Sequence, residues 1–152
     1  MSNKIATEGP AEDALSGLTV RPLVYGDLPA VLAIERRSFP TPWSLAMFVL
    51  EISKPSGICL GICDSRGLIG YLVCSRYVDV WHLMNIAVDP DRRREGLART
   101  LMLEMLERAG DGARFTLEVR TSNAGPFACM SALAFAPPGI AAATTTTTAR
   151  TP

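Results

Sequence analysis

A short pattern of arginine, glycine and alanine is the part of this sequence best suited to chemistry. Arg93, Gly96 and Ala98 form Arg-x-x-Gly-x-Ala, with a helical pattern starting at the glycine. The first N–H groups of a helix have no acceptor within it, and the helix dipole attracts negative charge. Gly96 lets a ligand approach the main chain closely. The pattern therefore permits a phosphate site, although on this pattern alone a solvated basic helix start is the simpler interpretation.

The cysteines and the single histidine give no pattern that predicts metal binding or catalysis. The four cysteines are Cys59, Cys63, Cys74 and Cys129, and none forms a C-x-x-C pair. On one strand, Cys59 and Cys63 would lie about 13 Å apart, too far to share a metal. Buried thiols are the simpler interpretation. The single histidine, His82, has no partner for a histidine-based triad, so we predict no metal site and no histidine nucleophile system.

Two elements must position the arginine and glycine pattern. Residues 81–88 are mostly apolar and end at Asp89-Pro90-Asp91, which predicts a buried strand followed by a turn. From 97 to 109 apolar residues recur at three- and four-residue spacing, which predicts a helix. Leu103 is the one poor fit. The pattern thus lies at a strand–turn–helix junction.

The rest of the chain supplies further strands and helices. Asp27 and Ser44 are expected helix caps, and residues 64–67 have the turn formers of a hairpin. The resulting order predicts an α/β fold with a mixed sheet. The expected strands are 18–23, 57–63, 68–77, 81–88 and 114–120, and the expected helices are 28–37, 44–52 and 97–109.

Composition indicates one small domain. With 152 residues the chain can bury about 68–70% of its unfolded surface, enough for one core. Fifteen basic and fifteen acidic residues give a net charge of zero, so no nucleic-acid partner is predicted. No apolar run approaches the length of a membrane span, and the polar start lacks a signal-peptide core. These features predict no membrane partner and a cytoplasmic location.

Three stretches together resemble a known family. They are Asn85-Ile-Ala-Val-Asp-Pro-Asp91 with the arginines and Gly-Leu-Ala that follow, Phe39-Pro-Thr-Pro-Trp-Ser44 after Ile-Glu-Arg, and Leu117-Glu-Val-Arg-x-Ser-Asn123. These stretches are similar to motifs of the GCN5-related N-acetyltransferases (GNAT), specifically the RimI type, which acetylates the N-terminal alanine of a ribosomal protein. The resemblance covers residues 18–125.

The resemblance implies the GNAT (acyl-CoA N-acyltransferase) fold, with a mixed, mostly antiparallel sheet flanked by helices. It implies acetyl-CoA as co-substrate, no metal, and a ribosomal-protein N-terminal peptide as partner. The strand meets the pantetheine and thioester, the loop and helix start hold the pyrophosphate, and an asparagine contacts the cofactor. The residues matching these roles are Ile86, Ala87, Val88, Arg93, Arg94, Glu95, Gly96, Leu97, Ala98, Arg99 and Asn123.

In this family the glutamate matching Glu118 is the general base. The amine chemistry suits it: an α-amino group titrates near pH 7.7–8.0 against about 10.4 for lysine, so roughly 3 to 4 kcal/mol less is needed to free it. The freed amine attacks the thioester directly, while a main-chain N–H near Val88 polarises the carbonyl. On the residues alone, the simpler interpretation of Glu118 is an ordinary strand-face carboxylate paired with Arg114 or Arg120.

The sequence departs from the family at Pro126. The family's proton-donating tyrosine corresponds to Met130, and residues 126–152 contain one charged residue, Arg150, with eight alanines and a threonine run. Such composition is typical of a low-complexity tail. Reading onward from the third base of codon 125 permits Ala-Leu-Arg-Met-Tyr-Glu-Arg-Leu-Gly-Phe, which resembles the family's C-terminus with its tyrosine at position 130. We interpret the tail as a one-base frameshift.

The predicted organisation is a disordered N-terminus at 1–17, an acetyltransferase core at 18–125 and an aberrant tail at 126–152, with the C-terminal helix and strands missing or unformed. Two alternatives remain open. One is an inactive acyl-CoA-binding remnant, and the other is a GNAT enzyme that acetylates a small-molecule or lysine amine. The sequence gives no oligomeric state.

Overall fold

The computed structural model describes residues 17–117, together with the backbone of residues 144–145. Strands and helices follow one another along this part of the chain in the order that the sequence predicts. The helices are α1 (Leu28–Ser38), α2 (Leu45–Ser53) and α3 (Leu97–Ala109). The strands are β1 (Thr19–Pro22), β2 (Ile58–Asp64), β3 (Gly67–Tyr77), β4 (Val80–Val88), β5 (Arg114–Leu117) and β6 (Thr144–Thr145).

The strands form one mixed sheet in the order β1-β2-β3-β4-β5-β6. The first four strands pair antiparallel, whereas β5 runs parallel to β4 and β6 parallel to β5. Helix α3 makes the crossover between β4 and β5, as a parallel connection requires. The prediction of a mixed, mostly antiparallel sheet is confirmed. The two-residue strand β6 lies in the threonine run, for which we predicted no strand.

Each face of the sheet packs against its own helices. On one face α3 covers a core that contains Leu72, Ile86 and Leu101. On the other face α1 and α2 cover a core that contains Tyr71 and Ala87. Because side chains alternate along a strand, β3 and β4 supply both cores, which explains why their apolar runs are nearly continuous.

A bulge interrupts β4. Val73 pairs with Asn85 and Cys74 pairs with Leu83, so Met84 is an extra residue without an opposite partner. A bulge adds one residue to one strand of an antiparallel pair and shifts the side-chain alternation beyond it. Accordingly Leu83 packs toward α3, whereas Asn85 reaches a carboxylate of α1 on the opposite face.

Two expected caps have different outcomes. Ser44 caps α2 as predicted, since its side chain accepts a hydrogen bond from the Met47 N–H. Asp27 precedes α1 but makes no cap bond to it, so that prediction was wrong. Its carboxylate instead accepts hydrogen bonds from the Arg21 guanidinium and the Val24 N–H, and the Arg21 bond lowers the Asp27 pKa.

Candidate active site

The loop between β4 and α3 contains two residues with left-handed backbone conformation. Arg94 has a φ of 66° and Gly96, the N-cap of α3, a φ of 77°. The first intrahelical bond runs from the Thr100 N–H to the Gly96 carbonyl, so the N–H groups of Leu97 and Ala98 precede it. A side-chain atom added at Gly96 would meet nothing within 4 Å. The helix start therefore presents free space beside main-chain donors, as an anion site requires.

Left-handed backbone is unfavourable for a residue with a side chain, which makes Arg94 a local outlier. Neighbouring left-handed and right-handed residues can turn successive N–H groups toward one side of a loop, a concavity that binds anions. Arg93, Arg94 and Arg99 are all exposed around this loop. Cationic side chains thus surround the donors that the sequence assigned to pyrophosphate.

Near the end of β4, the main-chain N–H and carbonyl of Val88 point away from the neighbouring strand β3. The Asp89 N–H bonds the Ile69 carbonyl, and Val88 lies opposite Gly70. In an antiparallel ladder this makes Val88 and Gly70 a non-hydrogen-bonded pair, so the N–H and carbonyl of Val88 point away from β3. They point toward the β5 side, where the described pairing with β5 extends only to Leu83 and Leu117. Val88 can therefore donate to a ligand bound beside β4.

Ion pairs hold this loop from two directions. Arg92 Nη1 lies 2.5 Å from Asp64 Oδ2 and its Nε lies 2.8 Å from Glu95 Oε2. Asp64 ends β2, so this contact joins the loop to the β2–β3 turn. The Arg92 hydrogen bond lowers the pKa of Asp64, and the two carboxylates raise the pKa of Arg92. Glu95, which the family resemblance assigned to the cofactor, has its carboxylate engaged by Arg92.

The second contact comes from the end of α1. Arg37 Nη1 lies 3.0 Å from Asp89 Oδ1, and Arg37 Nη2 lies 2.9 Å from Asp91 Oδ2. Asp89 also accepts a bond from the Asp91 N–H, which forms the turn. One guanidinium thus spans both acidic residues of Asp-Pro-Asp. Neither Arg37 nor Arg92 was singled out from the sequence, because the contacts that join the loop to the rest of the fold span 28 or more positions in the chain.

A buried glutamate lies between α1 and the sheet. Glu35 is fully buried and accepts hydrogen bonds from the Trp43 N–H at 2.7 Å, from Asn85 Nδ2 at 3.0 Å and from the Tyr71 hydroxyl. Sequence analysis missed it, although a signal was present. Leu28, Val31 and Glu35 are spaced so that they share one helix face, and a carboxylate on an apolar stripe indicates a buried polar contact.

Helix α2 contributes a second buried carboxylate, Glu51. It binds the Ser75 hydroxyl and lies 2.7 Å from Lys54 Nζ, which also contacts the Tyr77 hydroxyl at 3.1 Å. Tyr77 packs edge-on against His82, with ring centroids 5.2 Å apart. His82 therefore has a packing role, in agreement with the sequence interpretation.

The described cysteines are free thiols. Cys74 is buried, whereas Cys59 and Cys63 are only half-buried, less than expected. Burial raises the pKa of the Cys59 thiol to about 11. Within residues 17–117 no cluster of three metal-ligating side chains exists, and no helix there is long and apolar enough to cross a membrane.

The structure brings together the strand residues Ile86, Ala87 and Val88 with the loop and helix start from Arg93 to Arg99. Glu118, Asn123, Met130 and Cys129 lie outside the described residues, as do the expectations for residues 1–16. The candidate base and the candidate cofactor-binding asparagine thus stay predictions.

Known proteins are similar to this chain in both sequence and fold. Residues 28–134 match the acetyltransferase (GNAT) family. The chain is 34% identical over 120 residues to the ribosomal protein bS18-alanine N-acetyltransferase of Escherichia coli strain K12, covering 77% of this chain and 80% of that one. The crystal structure of the Escherichia coli enzyme superposes with a TM-score of 0.67 and 30% identity, covering 76% of each chain.

A GNAT-family N-acetyltransferase from Escherichia coli in complex with CoA is also similar, with 28% identity and a TM-score of 0.51 over 60% of this chain and 56% of that one. The sheet, its helices and the anion-binding helix start define a protein of the acyl-CoA N-acyltransferase fold. The chain belongs to the GNAT family, and as a member it is an N-acetyltransferase that uses acetyl-CoA. The fold and co-substrate predictions are confirmed.

Proposed function

We propose that this protein transfers the acetyl group of acetyl-CoA to the N-terminal alanine of a ribosomal protein. The relatives named for this activity are 34% identical and span most of the chain. The observation that supports acetyl-CoA binding is the backbone at Gly96. Its left-handed conformation and the free space beside it fit a phosphate held against the main chain. A residue with a side chain would fill that space.

Separate groups of the chain bind the pyrophosphate and polarise the thioester. Arg93, Arg94 and Arg99 neutralise the pyrophosphate, and the first N–H groups of α3 bind its oxygens. Acetyl-CoA supplies an activated acyl group as a thioester. The Val88 N–H, directed away from β3, donates to the thioester carbonyl and stabilises the negative charge that develops there.

Glu118 is the proposed general base. It removes a proton from the terminal ammonium, either directly or through a water, and leaves the amine free to attack the thioester carbon. The C–S bond then breaks, and CoA leaves as a thiol because its sulfur takes up the second proton that the nitrogen loses. Asn123 is the proposed further contact to the cofactor. An α-amine suits a carboxylate base better than a lysine does, because its pKa is about 2.5 units lower.

The acceptor is proposed to lie along the segment between α1 and α2. Phe39 is buried and Trp43 packs on Phe48 with ring centroids 5.3 Å apart. The loop from 39 to 44 thus has an apolar anchor at each end. In this proposal it forms one wall of the groove that receives the peptide.

A second candidate follows from composition. Residues 126–152 contain a single charged residue, and Met130 stands where the family has its proton-donating tyrosine. We propose that the reading frame is shifted by one base near codon 125. The chain as written is then an acyl-CoA-binding remnant with little transferase activity, and the frame-corrected chain is the enzyme.

Both forms are to be tested on three acceptors: an alanine-starting peptide, the same peptide with a blocked N-terminus and an internal lysine, and a polyamine. Mass spectrometry reports the acetylated product. Acetylation of only the first by the frame-corrected chain supports the proposal. Preference for the lysine or the polyamine would identify a different GNAT acceptor class. Thermal stabilisation by acetyl-CoA without transfer, in both forms, would favour the remnant.

A further inference from the structure

Glu35 joins three separate parts of the site through one carboxylate. Its Oε1 accepts from the Trp43 N–H, in the segment between α1 and α2, while its Oε2 accepts from Asn85 in β4 and from Tyr71 in β3. The Trp43 N–H, the Asn85 amide and the Tyr71 hydroxyl can all donate, so a pair of accepting oxygens suits this set. Three donors from three segments converge on one fully buried side chain.

The position of Asn85 makes this convergence relevant to the reaction. Asn85 directly follows the bulge residue Met84 and directly precedes Ile86. Its side-chain hydrogen bond to Glu35 fixes the position of β4, at the bulge, relative to α1. On the other carboxylate oxygen, the Trp43 N–H fixes the proposed acceptor wall. The separation between that wall and the thioester-binding strand therefore depends on one residue.

Stability alone does not account for a carboxylate at this position. The neighbours of Glu35 on the buried stripe of α1 are Leu28, Val31 and Ile34, and an apolar residue there would avoid the desolvation of a charge. A satisfied polar network does hold its members in one arrangement, however. That property is useful where two binding surfaces must keep a fixed spacing.

We propose that Glu35 is a positioning residue that couples the acceptor wall at Trp43 to the cofactor strand at Asn85. It touches neither the thioester nor the amine. This coupling rests on the proposed function in one respect, namely that the 39–44 segment lines the acceptor groove.

The kinetic test is Glu35→Gln in the frame-corrected enzyme, and amide exchange is measured in the chain as written. The amide replaces one accepting oxygen with a donor, so at least one of the three hydrogen bonds is lost. Hydrogen bonds to a charged group account for about a tenfold or larger change. We expect KM for the acceptor peptide to rise about tenfold, while the acetyl-CoA dissociation constant, set at the Gly96 loop, stays within twofold.

Glu51→Gln is the matched control. Glu51 is also a buried helical glutamate on the same face of the sheet, but its partners are Ser75 and Lys54. It should lower the melting temperature and leave the acceptor KM unchanged. Equal KM effects from both variants would show that general destabilisation is responsible and would overturn the proposal.

A rescue gives a second readout. Adding Asn85→Asp to Glu35→Gln restores a donor–acceptor pair in the reverse sense, so the acceptor KM should recover in part. Asn85→Asp alone places two carboxylates together and should be worse than either wild type or the double variant. Additive losses in the double variant would contradict a direct coupling.

Amide exchange at Trp43 separates this proposal from the proposed function. Exchange should accelerate about tenfold in Glu35→Leu, which has no oxygen to accept from the Trp43 N–H, and not in Glu51→Leu, whether or not any acceptor is acetylated. If the wild type transfers nothing to α-amines but Trp43 exchange responds, the proposed function fails and the coupling stands. Unchanged exchange, or changed exchange with an unchanged acceptor KM in an active wild type, would refute the positioning role.

Discussion

Arg92 and Asp64 join the loop after β4 to the turn after β2, with Nη1 2.5 Å from Oδ2. Because Arg92 also binds Glu95, its guanidinium is engaged on two sides and acts as a brace for the loop. The exposed cations Arg93 and Arg94 remain to face a ligand. The three consecutive arginines therefore divide into one structural residue and two binding candidates.

Removing this brace should weaken cofactor binding slightly. Asp64→Asn leaves Arg92 with Glu95 alone and loosens the loop. Because ion pairs near the surface are weak, we expect only a few-fold rise in the acetyl-CoA dissociation constant by calorimetry. Glu104→Gln, which breaks the Arg108 pair on the outer side of α3, is the matched control. An equal change in both variants would contradict the brace.

The same ion pair predicts a direction of pH dependence. Arg92 lowers the folded-state pKa of Asp64, so the stabilisation is fully present above the unfolded value of about 3.9 and is lost as pH falls through the lower folded value. The difference in melting temperature between wild type and Asp64→Asn should therefore be constant from pH 5 to 8 and shrink only below about pH 4. A difference that changes near neutrality would rule out this origin.

Cofactor binding should depend on Gly96. Gly96→Val places a branched side chain in the free space beside the helix start, and acetyl-CoA binding measured by calorimetry should be abolished. The left-handed backbone also costs a residue with a side chain about 1–2 kcal/mol. Gly112, in the loop after α3, has a φ of 75° and equally open surroundings, so Gly112→Val controls for that strain. Loss of binding in both variants would leave the cradle unsupported.

Glu118 should act at the chemical step. A general base contributes about 10²- to 10⁴-fold, so in the frame-corrected enzyme Glu118→Gln should lose that much turnover with acetyl-CoA binding intact. Its rate should recover as pH rises toward the pKa of the terminal amine, about 7.7–8.0, where the free amine needs no base. Full activity of the variant, or a wild-type rate independent of pH, would make the carboxylate structural.

The nucleotide sequence tests the shifted frame directly. Codons 126–152 read one base back should encode a tyrosine at position 130 and restore charged residues. Adding one base near codon 125 should yield a protein that acetylates an alanine-starting peptide, with the chain as written at no more than a few per cent of that rate. A stop codon in the alternative frame, or no tyrosine at position 130, would establish the tail as genuine.

Local patterns predicted the elements and the strand–turn–helix junction well. The apolar run of β4, the turn at Asp89 and the helical spacing of α3 each depend on neighbours within a few residues, and all three are present. Leu103, the poor fit to the helix, is exposed. Gly96 lies at the N-cap in the conformation that favours glycine.

Contacts between distant residues were not predictable. Arg37 meets Asp89 across 52 positions and Glu35 meets Asn85 across 50, and no local spacing encodes either pair. Asp27 was misassigned for the same reason, because Arg21 competes for its carboxylate with the helix it precedes. Propensity describes which local hydrogen bonds a side chain can make, but its tertiary contacts determine which of them it makes in the folded protein.

The bulge at Met84 makes β4 a splice of two segments with opposite side-chain phase. An exchange of strand segments with another acetyltransferase must therefore preserve the phase of the segment that follows position 84. A chimera that lacks only the bulged residue would close the ladder with Leu83 opposite Cys74 and Asn85 opposite Val73, and would keep Ile86 and Val88 beneath α3. A one-residue slip beyond the bulge would instead turn Ile86 and Val88 out of that core and turn Ala87 into it.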